Sequence, residues 1–177
     1  MKDDITRPNI IITGFMGTGK TTLGKRLAAA LGYEFVDTDE LIVARSGRTV
    51  EEIFHEQGEA VFREMESAIA KELGEKEGLV ISTGGRTMLD PTNAAALSKK
   101  GRVFCLVARP EEIMERLSQD PDVCRPLLDG PNPMERIVEL LRERQEGYAR
   151  FPQLVTSGKS PEELVDILLE IIQQDSA

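Results

Sequence analysis

The chain has 177 residues, 40% of them hydrophobic and 30% charged, with a net charge of −9, which suits one domain around one core. No apolar run reaches membrane-spanning length and no leader pattern opens the chain, so no membrane partner and a cytoplasmic location are expected. The acidic balance argues against nucleic acid as main partner, and two cysteines, Cys105 in an apolar run and Cys124 in a polar loop, argue against a disulfide or metal framework.

Residues 9–13, Asn-Ile-Ile-Ile-Thr, read as a buried strand. Directly after it, Gly14-Phe-Met-Gly-Thr-Gly-Lys-Thr21 fits the phosphate-cradling pattern G-x-x-x-x-G-K-[ST]. Backbone N–H groups can approach a phosphate chain only where Cβ atoms do not intervene, hence Gly14, Gly17 and Gly19. Lys20 supplies a mobile positive charge for the outer phosphates, and the Thr21 hydroxyl is placed to ligate Mg²⁺. A helix over 20–31 follows, with Leu23, Leu27, Ala30 and Leu31 on one face and Gly32 as its stop, so its dipole would point at the phosphates.

A strand over 34–36 runs into Asp37-Thr38-Asp39. Two carboxylates at this spacing suit a metal contact and a substrate hydroxyl, and equally an exposed helix N-cap. Helices are expected over 38–46, 50–56 and 59–73. On the last, Arg63 follows Phe62 and lies one turn before Glu66, which would orient its guanidinium towards a carboxylate. His55, the only histidine, stands beside Phe54 and receives no chemical role. A strand over 79–82 ends in Ser82-Thr83-Gly84-Gly85, where the glycines permit a ligand close to the backbone and the hydroxyls could join a metal's water shell.

Helices at 92–99, 110–118, 134–148 and 161–173 and strands at 102–107 and 153–155 complete an alternating α/β pattern, which implies a parallel sheet covered on both faces. Residues 119–133 break the pattern. They hold four prolines and Arg125, and read as a stiffened lid. No repeat or linker marks a domain boundary, so 1–177 reads as a single unit.

Six segments, in order, resemble the shikimate kinase family: the loop from Gly14 to Thr21, Phe35-Val-Asp-Thr-Asp39, Gly58-Glu-x-x-Phe-Arg-x-x-Glu66, Val80-Ile-Ser-Thr-Gly-Gly85, Arg125-Pro-Leu-Leu128 and Arg144-x-x-x-Tyr148. The resemblance implies a three-layer P-loop kinase fold, a five-stranded parallel sheet of order 2-3-1-4-5 with the phosphate loop on its central strand and Asp39 and Gly84 beside it, and a mobile lid at about 119–133. It implies transfer of a phosphoryl group from ATP to shikimate, with Mg²⁺. Gly14, Gly17, Thr18, Gly19, Lys20, Thr21, Thr22, Arg125 and Lys159 would face the nucleotide. Thr21 would ligate the metal, with Asp37 acting through water. Asp39 would be the base, with Lys20 and Arg125 as the other catalytic groups. Arg63, Gly84, Gly85 and Arg144 would join Asp39 in holding shikimate, within a substrate-binding region over 38–73. Nothing in the sequence demands more than a monomer. Two positions depart from the family pattern. Arg86 replaces a third glycine, and could contact the acceptor, turn outward or change the acceptor. Lys159 stands where an arginine often packs on the base, and would stack less well.

Overall fold

The computed structural model describes residues 7–119, 128 and 130–174. Five strands, β1 (Asn9–Gly14), β2 (Glu34–Asp37), β3 (Leu79–Ser82), β4 (Gly101–Val107) and β5 (Gln153–Val155), form one parallel sheet of order β2-β3-β1-β4-β5. The expected order is therefore the observed one. Helices α1 (Lys20–Leu31), α2 (Thr38–Ser46), α3 (Val50–Glu56), α4 (Glu59–Gly74), α5 (Pro91–Ser98), α6 (Pro110–Ser118), α7 (Pro133–Tyr148) and α8 (Pro161–Gln174) match the expected ones to within a residue or so. A short 3-10 turn, Thr87–Leu89, has no counterpart in the sequence reading. Most of the expected lid, Arg125 included, lies outside the described residues.

The strand period divides the core in two. Ile10 and Ile12 of β1 face one side of the sheet with Leu23 and Leu27 of α1 and Leu164 and Leu168 of α8. Ile11 faces the other side with Phe62, Ile69 and Leu73 of α4 and Leu97 of α5. Both faces of β1 are fully buried, which is why it reads as a continuous apolar run rather than an alternating one. A third cluster joins Phe15, Cys105, Ile113, Leu117, Ile137, Leu140 and Tyr148 beyond the carboxyl end of the sheet, bringing α6 and α7 over the cleft.

The order places a switch point beside β1. The chain leaves β1 through α1 on one face of the sheet and leaves β3 through α5 on the other, so the loops after β1 and β3 part and leave a crevice at their carboxyl ends. The register sets Asp37 at the end of β2 level with Ser82 at the end of β3, and Ser82 level with Ile12 of β1. Residues scattered over seventy positions of sequence thereby meet at one end of the sheet.

Candidate active site

The crevice is a cleft of about 620 Å³. Its phosphate-loop wall begins at Gly14, whose φ is +137°. A Cβ there would stand 2.6 Å from the carbonyl oxygen of Leu106, so β4 itself excludes a side chain. Thr18 is buried, and its Oγ1 donates to the Phe15 carbonyl at 2.7 Å, closing the loop from within. It offers the cleft no hydroxyl and leaves only backbone for a ligand. Gly19, with φ +96°, is the N-cap of α1, and no side chain caps that helix. By contrast, Asp37, Thr49 and Asp90 cap α2, α3 and α5. The first N–H groups of α1 are thus open to an anion.

Lys20 sends its Nζ back over the loop to the carbonyls of Gly14 (3.0 Å) and Phe15 (2.9 Å). Burial lowers its pKa to about 8, partly offset by Asp39 and Asp37. Thr21 Oγ1 donates to Asp37 Oδ2 at 3.2 Å. The other oxygen of Asp37 caps α2 by accepting from the Asp39 and Glu40 N–H groups at 3.0 and 3.2 Å. One oxygen of this aspartate thus starts a helix, and the other turns to the phosphate loop. Ser82 Oγ, on the adjacent strand end, is buried without a hydrogen-bond partner among the described residues. These oxygens suit a hard cation that keeps several waters and ligand phosphates, as Mg²⁺ does. Among the described residues no cluster of three or more His, Cys, Asp or Glu side chains exists, so the chain offers no closed metal cage there.

Asp39 lies in the first turn of α2, lining the cleft. Its Oδ1 is buried and has no hydrogen-bond partner among the described residues. Burial raises its pKa to about 6, with Asp37 and Glu66 adding to the shift and Lys20 and Arg63 opposing it. Thr38 Oγ1, next to it, accepts from the Gly84 N–H at 3.0 Å and ties the start of α2 to the end of β3. A Cβ on Gly84 would stand 2.8 Å from Asp39 Oδ1 and 2.9 Å from Glu66 Oε1. A side chain there would have to push back the carboxylates that converge on it.

Two arginines face this group. Arg63 Nη1 donates to Glu66 Oε2 at 2.5 Å, and Glu66, itself buried, accepts from Thr87 Oγ1 at 2.6 Å through its other oxygen. Arg144 is buried, with its guanidinium 5.3 Å from the centre of the Phe15 ring. Tyr148, one turn further along α7, donates its hydroxyl to the Gly85 carbonyl at 2.5 Å. The cleft therefore joins an anion-binding helix start, an oxygen pair for a cation, one carboxylate with a spare oxygen, and two guanidinium groups. That set can hold a polyphosphate at one end and a hydroxylated carboxylate at the other.

A shikimate kinase family model matches residues 16–173. The shikimate kinase of Caldanaerobacter subterraneus subsp. tengcongensis is 44% identical over 160 residues, covering 89% of this chain and 92% of that protein. The chain belongs to the shikimate kinase family. Among solved structures, the shikimate kinase of Acinetobacter baumannii in complex with shikimate is similar with a TM-score of 0.88 at 34% identity, over 96% of this chain and 95% of that one. A gluconokinase from Sinorhizobium meliloti, at 17% identity and TM-score 0.57 over 97% of this chain and 99% of that one, shares the fold alone.

Of the residues singled out from the sequence, Gly17, Gly19, Lys20, Thr21, Thr22, Asp37, Asp39, Arg63, Gly84, Gly85 and Arg144 line the one cleft. Gly14 and Thr18 shape the loop behind it. Lys159 does not line it. Its N–H donates to the Thr156 carbonyl in the turn after β5, beside a shallow cavity of about 580 Å³ that includes Ser157 and Gly158. Arg125 lies outside the described residues. Arg116 was missed. From the last turn of α6 its Nη1 donates to the Gly17 carbonyl at 3.1 Å, and it lines the cleft above the phosphate loop. Its signal in the sequence was weak, because a basic residue near a helix C-terminus ordinarily answers the dipole.

Proposed function

We propose that this chain phosphorylates the 3-hydroxyl of shikimate with ATP, giving shikimate 3-phosphate and ADP, a step towards chorismate and the aromatic amino acids. The observation that carries the reading is Asp39. Its buried oxygen has no hydrogen-bond partner among the described residues, and it stands between the Lys20 end of the cleft and Arg63. A carboxylate so placed accepts the proton of an acceptor hydroxyl as that oxygen attacks phosphorus.

The other roles follow from chemistry. The backbone from Gly17 to Gly19 and the open start of α1 cradle the phosphates, and Thr22 extends that wall. Lys20 would leave the Gly14 and Phe15 carbonyls to follow the outer phosphate, whose charge favours the protonated amine. Thr21 and Asp37 would hold Mg²⁺, Thr21 directly and Asp37 through water, and the ion would offset charge on the phosphate oxygens. Arg63 and Arg144 take the acceptor carboxylate, with Gly84 and Gly85 letting the acceptor lie close to the backbone. Arg125 would enter with the lid and neutralise charge on the transferring group, and Lys159 would border the adenine. Closure would exclude water as a competing acceptor. Residues 1–177 act as one kinase domain, every group named belongs to one chain, and one chain suffices. We place the reaction in the cytoplasm, where ATP is at hand; among the described residues no helix is long and apolar enough to cross a membrane.

A second reading keeps the kinase and changes the acceptor to another small hydroxy-carboxylate, such as a sugar acid, because Arg86 reaches the acceptor side of the cleft. A binding module without catalysis would not need Asp39 and Lys20 together. The test is coupled ADP release with ATP, Mg²⁺ and shikimate, with quinate and gluconate in parallel. Release that depends on shikimate is expected. Release with another acceptor alone, or with none, overturns the assignment.

A further inference from the structure

Two carboxylates hold the Arg63 guanidinium, and they are not equivalent. Glu66 is fixed: its side chain is 1% exposed and its second oxygen is held by Thr87. Glu59 is 50% exposed, and its Oε1 accepts from both Arg63 Nε at 3.2 Å and Nη2 at 3.0 Å. Nε and Nη2 form one of the two edges with which a guanidinium grips a carboxylate. That edge carries a carboxylate supplied by the protein itself. An acceptor carboxylate that takes the same edge must displace Glu59.

The displaced group has somewhere to go. Arg86 Nη1 lies 3.1 Å from the same Oε1, with its side chain 52% exposed. Arg86 follows Gly84 and Gly85, yet its φ of −109° and ψ of −11° are ordinary, so the backbone neither demands nor forbids a side chain. Glu59 is thus shared by two arginines on different elements, one inside the acceptor side of the cleft and one at its rim.

We propose that Arg86 is a positioning residue for the acceptor: it receives Glu59 when the acceptor's carboxylate takes the Nε–Nη2 edge of Arg63. This rests on the reading of the site as a kinase of a hydroxy-carboxylate. Without Arg86, Glu59 would either keep Arg63 or stand unpaired beside a second carboxylate, and both oppose binding. With it, the exchange leaves every charge paired. The exposed pairs are individually weak, so Glu59 moves readily, whereas buried Glu66 keeps the guanidinium oriented throughout. The device also selects for charge, because a neutral ester of the acceptor cannot displace Glu59 and gains nothing from Arg86.

Calorimetric titration of the full chain with shikimate and with its methyl ester, at low ionic strength, tests this. Arg86→Ala should weaken shikimate binding about fivefold, as expected for loss of an exposed charge partner, and leave ester binding, ATP binding and Tm unchanged. Arg86→Lys should restore most of the affinity. Glu59→Gln should bind shikimate at least as tightly as the unchanged chain, and in that background Arg86→Ala should change the affinity by less than about 1.5-fold. A loss that persists beside Glu59→Gln would mean that Arg86 touches the acceptor directly and would overturn the exchange. So would equal losses for shikimate and the ester, or no loss at all. If the unchanged chain binds no shikimate, the acceptor assignment falls and this inference with it; an unchanged chain that binds, with variants that do not differ, sinks the inference alone.

Discussion

The two ends of the cleft solve opposite problems by different means. The phosphate end is made of backbone. Its glycines and open helix start are braced from behind by Thr18 and by β4, and Lys20 is the mobile charge in it. The acceptor end is made of side chains. Asp39, Arg63, Glu66 and Arg144 come from α2, α4 and α7, and Glu66 holds Arg63 in place. Phosphates look alike from one nucleotide to the next, so a fixed backbone mould serves them. An acceptor must be told from its analogues and must lose a proton, which calls for groups whose identity and pKa can be set by neighbours.

The contrast can be broken at several points. Asp39→Asn should lower kcat by about 10²- to 10⁴-fold while nucleotide affinity stays nearly unchanged; kinetics beside nucleotide titration would check it, and unchanged turnover would remove Asp39 from the base's role. Gly14→Ala attacks the other end through the fold. With φ at +137° and the Leu106 carbonyl 2.6 Å from the new Cβ, it should cost about 2–4 kcal/mol in chemical denaturation. A stable, inactive protein would mean that Gly14 serves the ligand instead.

The pH profile sharpens the comparison, since the limbs come from opposite ends. In the free enzyme kcat/KM for the acceptor should fall about tenfold per unit below pH about 6, as Asp39 gains its proton, and fall again above about 8, as Lys20 loses its own. For stability, the Asp39 carboxyl is raised above its unfolded value of 3.8. Its contribution is complete below that value and is lost as pH rises towards about 6. Activity and this part of stability should therefore move in opposite directions between about 4 and 6, and an acid limb absent from the profile would argue against Asp39. Arg125→Ala should lower kcat by about 10²- to 10³-fold, the scale of one charge-stabilising donor, rather than act on substrate affinity alone. The smallest effect is expected from Tyr148→Phe. Losing one hydrogen bond to Gly85 should raise the KM for the acceptor by no more than about tenfold with kcat preserved; a fall in kcat alone would place the hydroxyl in the chemistry.

Much of this was legible in the sequence, unevenly between the two ends. The loop from Gly14 to Thr21 could be read alone, because every residue in it serves a need set by its own neighbours. Asp37 stayed ambiguous between metal contact and helix cap, and the structure shows why: Oδ1 does one and Oδ2 turns to Thr21. The orientation of Arg63 by Glu66 was legible from their helix spacing, but not that Thr87, in a 3-10 turn with no sequence signature, holds Glu66 in turn. Arg116 was invisible because its partner is a backbone carbonyl 99 positions away.

The sequence by itself determined the periodic elements, the α/β class and the phosphate cradle, since all three depend on residues within a turn or two of each other. The strand order followed from placing that cradle beside Asp39 and Gly84. What only the tertiary structure decided is which charges meet. The pKa of Asp39, the exposure of Glu59 against the burial of Glu66, and the shared grip on Arg63 depend on distances between α2, α4, α7 and the end of β3. No local pattern encodes those distances, because they are set by how the two faces of the sheet pack.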